Sequence, residues 1–187
     1  MRAACRLSVA IIVCLSMLLD VSRAAPQQTS TEYQVKAAFL FNFAKFVEWP
    51  PQVFPRRDAP FTICIAGDPF EGALDKTVEG ESLDGRPLLV RRVAAVEEIR
   101  GCQILYIAPD ARRSAELLSA AANAPILTVG ETEDFINDGG IVRFIQETHR
   151  VHFQINPEAA ERASLKVSSR LLRLAEIARP KPRAGAR

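Results

Sequence analysis

The sequence has few of the residues, and none of the motifs, on which most enzyme sites depend. It contains only two histidines, one tryptophan and two methionines. No phosphate-binding loop is present, because Ala73 and Leu74 stand where Lys and Ser or Thr would follow the second glycine. No Gly-x-Gly-x-x-Gly turn and no Gly-x-Ser-x-Gly elbow occurs, which removes the basis for dinucleotide-binding and serine-hydrolase chemistry. We predict that the protein is not an enzyme and carries no cofactor.

The sequence also lacks a recognisable metal site. His149 and His152 are three residues apart beside a predicted strand, and an odd offset sends extended side chains to opposite faces. The clustered carboxylates lack the spacing of a calcium loop, which favours a solvated edge over a Ca²⁺ site; they are Glu131, Glu133, Asp134 and Asp138. The sequence therefore predicts no metal.

No apolar run is long enough to span a bilayer, which needs about 20 residues. The uncharged run is residues 7–19, preceded by Arg2 and Arg6 and followed by small residues at Ser22 and Ala24. This order predicts a cleavable signal peptide over residues 1–24 and export to the periplasm. A lipoprotein and an uncleaved anchor are the less favoured alternatives.

Neither sign of charge is in excess. Removing residues 1–24 takes away three arginines and one aspartate, which leaves 21 basic and 21 acidic residues. Four of the basic residues lie after position 178, so the body is slightly acidic, and we predict no nucleic-acid partner. The expected organisation is a disordered start over residues 25–31, one domain over 32–178 and a disordered basic tail over 179–187.

Strand-like and helix-like segments alternate along the domain. Apolar strands are expected at 61–66, 88–93, 103–108 and 125–130, with helices at 70–77 and 111–122. The runs 141–145 and 151–155 resemble an antiparallel hairpin at the sheet edge. We predict a single α/β domain with a mainly parallel sheet, helices on both faces and this hairpin near the C-terminus.

A helix rich in aromatic rings is predicted over residues 33–49, where Trp49 and Pro50 end it. At about 100° per residue, one apolar arc should face the core; it contains Val35, Phe39, Leu40, Phe43, Phe46 and Val47. Phe41 lies outside this arc, in a stripe with Ala37, Ala44 and Glu48. The stripe meets either another helix of the chain or a partner protein, and we assign Phe41, Lys45 and Glu48 to a candidate partner interface.

Cysteine is scarce after the predicted signal peptide, where only Cys64 and Cys102 remain. An even pair in an oxidising compartment favours a disulfide over two separate buried thiols.

Asp68 follows the first long strand, before Pro69. Its carboxylate is interpreted as a helix N-cap, with a ligand cleft at the carboxyl ends of the strands as the alternative.

Several of these segments together resemble the YfiR family. The similarity covers about residues 32–177, and the most specific part is the aromatic helix with its Trp-Pro end. The strand 61–66 with the following Gly67 and Asp68, and the later segment 102–107, also match the family pattern.

The resemblance implies a periplasmic α/β repressor that binds the periplasmic region of an inner-membrane diguanylate cyclase. Release of the cyclase would raise cyclic di-GMP and favour biofilm formation. The resemblance also implies a Cys64 to Cys102 disulfide, whereas Asp134 and Ile141 occupy the region of a second cysteine pair in the founding member. A small-molecule receptor, a sensor subunit of another membrane signalling protein and a homodimer are the alternatives.

Overall fold

The computed structural model describes residues 27–148 and 150–181. The predicted signal peptide, His149 and the last six residues of the predicted tail lie outside this part. Its helices and strands follow in chain order: α1 (Gln27–Phe46), β1 (Val47–Glu48), β2 (Phe61–Ala66), α2 (Ala73–Val78), β3 (Ser82–Leu83), β4 (Arg86–Arg92), β5 (Ile104–Ile107), α3 (Ser114–Ala121), β6 (Leu127–Gly130), β7 (Val142–Glu147), β8 (Arg150–Ile155), α4 (Pro157–Arg162), β9 (Lys166–Val167), α5 (Ser169–Leu172) and β10 (Glu176–Ile177).

The main sheet has eight strands in the order β10-β8-β7-β6-β5-β2-β4-β3. The central strands β4, β2, β5, β6 and β7 run parallel to one another. The chain reverses in the β7–β8 hairpin and again between β3 and β4. The predicted α/β class, parallel sheet and antiparallel hairpin are confirmed, with the short β10 outside the hairpin.

The two faces of the sheet carry separate apolar cores because strand side chains alternate between faces. Ile63 and Ile65 pack with α1, α2 and Tyr106, while Cys64 and Ala66 pack with α3 on the other side. All six residues of β2 and all four of β5 are buried. Burial on both faces explains why these strands are continuous apolar runs rather than alternating ones, and it confirms helices on both faces.

Helix α1 differs from its predicted bounds at both ends. It begins at Gln27, inside the segment predicted to be disordered, since extending an existing helix costs little once it is nucleated. It ends at Phe46, before Pro50, and Val47–Glu48 pairs with Lys166–Val167 as an antiparallel ladder. The amide of Ser168 donates to the Phe46 carbonyl at 2.9 Å, so pairing with β9 ends the helix before the proline does.

The buried face of α1 is rotated from the predicted arc. Leu40, Phe43 and Val47 are buried as predicted, but the predicted core residue Val35 is 40% exposed. Ala37 and Ala44 of the predicted second stripe are fully covered, in a helix that packs on α2 and α5. Helices of the same chain therefore take up most of that stripe, which a periodicity count cannot reveal.

One local prediction is corrected by the backbone. The helix expected from residue 70 begins at Ala73 after two tight turns, with Gly72 at its N-cap position, so Asp68 does not cap it. Beyond the hairpin, the left-handed Ser164 separates α4 from α5, with β9 between them. Asn156 caps α4, since its Oδ1 accepts from the Ala159 amide at 3.1 Å.

Truncation of Phe43 tests the register of α1. Phe43 has no exposed surface and packs against Phe144 and Phe153, with ring centroids 5.8 and 5.1 Å away. We expect Phe43→Ala to lower the free energy of unfolding by about 3–5 kcal/mol in urea denaturation, because it leaves a cavity. Val35→Ala is the control and should change it by less than about 0.5 kcal/mol. Equal effects of the two variants would contradict this register.

Candidate functional site

The predicted interface residues lie at the carboxyl-terminal end of α1 and in β1. Phe41 is half-buried against the core, whereas Lys45 and Glu48 are exposed. The Lys45 ammonium stands over the Phe41 ring, with Nζ 3.7 Å from the centroid. This cation–π contact contributes about 0.5–1 kcal/mol at an exposed site. A partner that meets this surface therefore meets a ring already covered by a positive charge.

Lys45 and Glu48 also line a cavity of about 330 Å³. Phe54 and Arg86 contribute to its wall, and the Arg86 guanidinium lies 4.0 Å from the centroid of the Phe54 ring. Arg86 Nη1 also donates to the carbonyls of the 55–60 loop, at 2.8 Å to Arg56. The cavity thus has an aromatic wall with both signs of charge around it, which suits an apolar side chain flanked by polar groups.

Trp49 connects the end of α1 to the sheet. Its Nε1 donates to the Gln103 carbonyl at 3.0 Å, just before β5, and its ring meets Phe61 edge to face at 4.8 Å. A half-buried tryptophan whose N–H is bonded holds both its apolar body and its polar atom in place. The Trp-Pro segment that the sequence singles out is therefore the anchor of the candidate surface.

Asp68, the predicted cleft residue, is already engaged by its own chain. Its Oδ1 accepts from the Phe70 amide at 3.2 Å, and its Oδ2 accepts from Arg92 Nε at 2.9 Å. Arg92 in turn forms a two-bond ion pair with Asp75, at 2.6 Å for each bond, and these bonds hold the pKa of Asp75 below its usual value. The carboxylate thus closes the turn between β2 and α2, and its ligand role stays a prediction.

The disulfide between Cys64 and Cys102 is present, with Cα atoms 5.8 Å apart. It joins the middle of β2 to the segment that enters β5. Arg91 lies against it, with Nη2 3.3 Å from the Cys102 sulfur and hydrogen-bonded to the carbonyls of Glu98 and Arg100 at 3.0 and 2.7 Å. The bridge is covered by this guanidinium and its carbonyl partners.

A buried charged cluster that was not predicted from the sequence lies at the carboxyl-terminal end of β6. Lys36 of α1 is 1% exposed, and its ammonium bonds Glu32 and, at 2.7 Å, Glu131. The hydroxyl of Tyr106 donates to the other oxygen of Glu131. Glu131 follows β6 directly, so the carboxyl end of the strand places it under the helix. That position, and a lysine inside an aromatic helix, were the signals available in the sequence.

The cluster shifts the proton affinities of its members. Burial lowers the pKa of Lys36, but hydrogen bonds from its ammonium to Glu131 and Glu32 more than offset this, and the net pKa is raised. Burial raises the pKa of Tyr106, and the negative charge of Glu131 raises it further. Both shifts favour the protonated forms, in agreement with the Lys36–Glu131 ion pair and with Tyr106 as a hydrogen-bond donor.

Comparison with protein families matches residues 33–176 to a model described as YfiR/HmsC-like. The chain belongs to the YfiR/HmsC-like family. The matched range starts at Tyr33, near the beginning of α1, and ends in β10, so it contains the Trp49 anchor, the disulfide and the 330 Å³ cavity. A comparison with curated proteins finds no match.

The described residues of the YfiR/HmsC-like domain contain neither a membrane-spanning helix nor a metal-binding cluster. Within residues 27–148 and 150–181, no helix combines the length and apolar character needed to cross a membrane. In the same residues, no three His, Cys, Asp or Glu side chains group closely enough to hold a metal ion. The acidic loop instead points its first carboxylate inward at Lys36 and leaves Glu133, Asp134 and Asp138 exposed.

The alkaline limit of stability tests the buried cluster. The pKa of Tyr106 is raised in the folded state, so above about pH 10 the unfolded chain releases this proton while the folded protein still holds it. The unfolding free energy therefore falls as the pH rises above about 10. We expect the unfolding free energy of the wild type to fall by about 1 kcal/mol more than that of Tyr106→Phe between pH 10 and 11. Urea denaturation at fixed pH measures it. Parallel curves would contradict the role assigned to Tyr106.

Removal of the disulfide tests its contribution to stability. The bridge spans a sequence separation of 38 residues. The double variant with Cys64→Ala and Cys102→Ala should unfold with about 4 kcal/mol less free energy, because its unfolded chain is no longer constrained. Urea denaturation of the oxidised wild type and the variant gives the difference. A loss below about 1 kcal/mol would show that the bridge is not a main source of stability.

Proposed function

We propose that this protein is a periplasmic regulator that represses a membrane-bound diguanylate cyclase by binding its periplasmic region. The observation that carries the proposal is membership of the YfiR/HmsC-like family over residues 33–176. The predicted signal peptide supports export, and the motifs missing from the sequence support a regulatory rather than a catalytic role. Release of the cyclase would raise cyclic di-GMP and favour biofilm formation.

The proposed contact surface is the end of α1 and β1 with the adjoining cavity. Lys45 and Glu48 are exposed, carry opposite charges and line the 330 Å³ cavity. Trp49 and the β1–β9 pairing hold this end of the helix against the domain. A preorganised surface loses little conformational entropy on binding, which favours tight capture of an apolar partner side chain flanked by charges.

Repression needs the regulator to prefer one state of the cyclase. To move a two-state protein from 1:99 to 99:1, a ligand must bind the favoured state about 10⁴-fold more tightly. A contact that covers only a few exposed charges gives too little discrimination, since surface ion pairs contribute about 0–1 kcal/mol each. The proposal therefore requires an apolar anchor in the cavity in addition to contacts with Lys45 and Glu48.

Two substitutions test this surface. Lys45→Glu removes the cation over Phe41 and reverses the charge, while Phe41→Asp places a carboxylate where a half-buried ring lies. We expect each to weaken capture of the membrane diguanylate cyclase that this protein represses by at least about tenfold, and to restore cyclic di-GMP synthesis in membranes that contain it. Binding is measured by pull-down and synthesis by product quantification.

Arg112→Glu is the matched control, because Arg112 is an exposed cation that precedes α3 on the other face of the sheet. It should leave capture and repression unchanged. Thermal melting of each variant separates loss of contact from loss of fold, and Lys45→Glu, at an exposed position, should melt like the wild type. Full repression by a folded Lys45→Glu variant would contradict the proposed surface.

A further inference from the structure

A second cavity, of about 350 Å³, lies where strands β5 and β6 begin. Its wall includes Gln103 before β5, Ile126 before β6 and Ala124 after α3. The cavity therefore lies at the amino-terminal ends of these strands, whereas the buried Lys36 cluster lies at the carboxyl-terminal end of β6. The volume is at the low end of the range of about 300–1,000 Å³ that small-molecule sites occupy.

The cavity wall is mainly apolar. Val96 and Ile99 come from a 3₁₀ helix, and Pro125 and Ile126 enter β6. Gln103 is 2% exposed and its orientation is fixed, since its Oε1 accepts from the Thr62 amide at 2.7 Å. Such a wall favours a ligand whose body is hydrocarbon, because each methylene that leaves water tightens binding about fourfold.

One cation borders this apolar wall. The exposed side chain of Arg100 lines the cavity, and within the described residues it forms no ion pair; only its backbone carbonyl is engaged, by Arg91. A guanidinium matches the two oxygens of a carboxylate in a planar, two-bond geometry. Charge complementarity therefore favours an anionic head group on a ligand whose body fills the apolar part.

We propose that this cavity binds a small amphipathic carboxylate, of the class of medium-chain fatty acids, with the hydrocarbon chain against Ile99 and Ile126 and the carboxylate at Arg100. A neutral hydrocarbon would leave the guanidinium without a partner, and an amine of equal length would place two cations together. The site is independent of the cyclase and of Lys45 and Glu48, so the outcome of its test does not depend on the proposed function.

Trp49 gives a direct readout of occupancy. It is the only tryptophan of the chain, and its Nε1 donates to the carbonyl of Gln103, a residue of the cavity wall. Val53, four residues after Trp49, also lines the cavity. A ligand in the cavity should therefore change the intrinsic fluorescence of Trp49, and it should raise the melting temperature because it binds only the folded state.

The experiment titrates the purified full chain with hexanoate, octanoate and decanoate at neutral pH. We expect decanoate to bind with a dissociation constant of about 0.1–1 mM, and each shorter acid to bind about fourfold more weakly per methylene removed. Decylamine should bind at least about tenfold more weakly than decanoate. Fluorescence and melting shifts are recorded on the same samples.

Two variants locate the site, each with a matched control. Arg100→Gln should weaken decanoate about threefold, whereas Arg112→Gln removes an exposed cation outside the cavity and should have no effect. Ala120→Leu places a larger side chain in the cavity wall and should abolish the dependence of affinity on the chain length of the acid. Ser119→Leu, on the same helix but outside the cavity wall, should leave that dependence unchanged.

Three outcomes would overturn the proposal. The wild type could show no fluorescence or melting response to decanoate. Arg100→Gln and Ala120→Leu could both bind like the wild type, which would place any binding elsewhere. Decylamine could bind as tightly as decanoate, which would remove the carboxylate from the argument. All variants change exposed side chains, so they are expected to fold like the wild type. Melting curves recorded in the absence of ligand check this.

Discussion

The structure depends on a lysine buried under the first helix. Helix α1 covers one face of the sheet, and Lys36 lies on its covered side. A buried ammonium is tolerated only when carboxylates and hydrogen bonds replace the water that it loses. Glu32 supplies one carboxylate from the helix itself, and Glu131 supplies the other from the end of β6. The position of α1 is therefore specified by a pairing with the sheet as well as by apolar contact.

The two ends of α1 are held by different contacts, and the proposed contact surface lies only at the carboxyl-terminal end. The amino-terminal half carries the charged cluster and the Tyr33 ring, which meets Phe70 at 5.4 Å. The carboxyl-terminal end is held by the β1–β9 ladder and by the Trp49 bond to Gln103. Phe41 and Lys45 at this end of α1, and Glu48 in β1, are thus held in place by contacts with the rest of the domain, as the proposed contact surface requires.

Trp49 also connects two cavities of different character. The cavity beside Lys45 has aromatic walls and charges of both signs, and Trp49 itself lines it. The cavity beside Arg100 is mainly apolar and includes the carbonyl partner of Trp49. Cys102 lines the second cavity as well, so the disulfide helps to hold its wall. Trp49 therefore lines one candidate site and is hydrogen-bonded to a wall residue of the other.

The sequence by itself determined the α/β class, the parallel strands, the hairpin and the cysteine pair, because these features follow from local apolar runs and from residue count. Tertiary structure decided the rest. The face of α1 depends on α2 and α5, which pack on it from distant parts of the chain, so Val35 is exposed while Ala37 is covered. Lys36 and Glu131 are 95 residues apart, and only the docking of α1 over the end of β6 brings them together. Their burial follows from that distant contact, which no local pattern encodes.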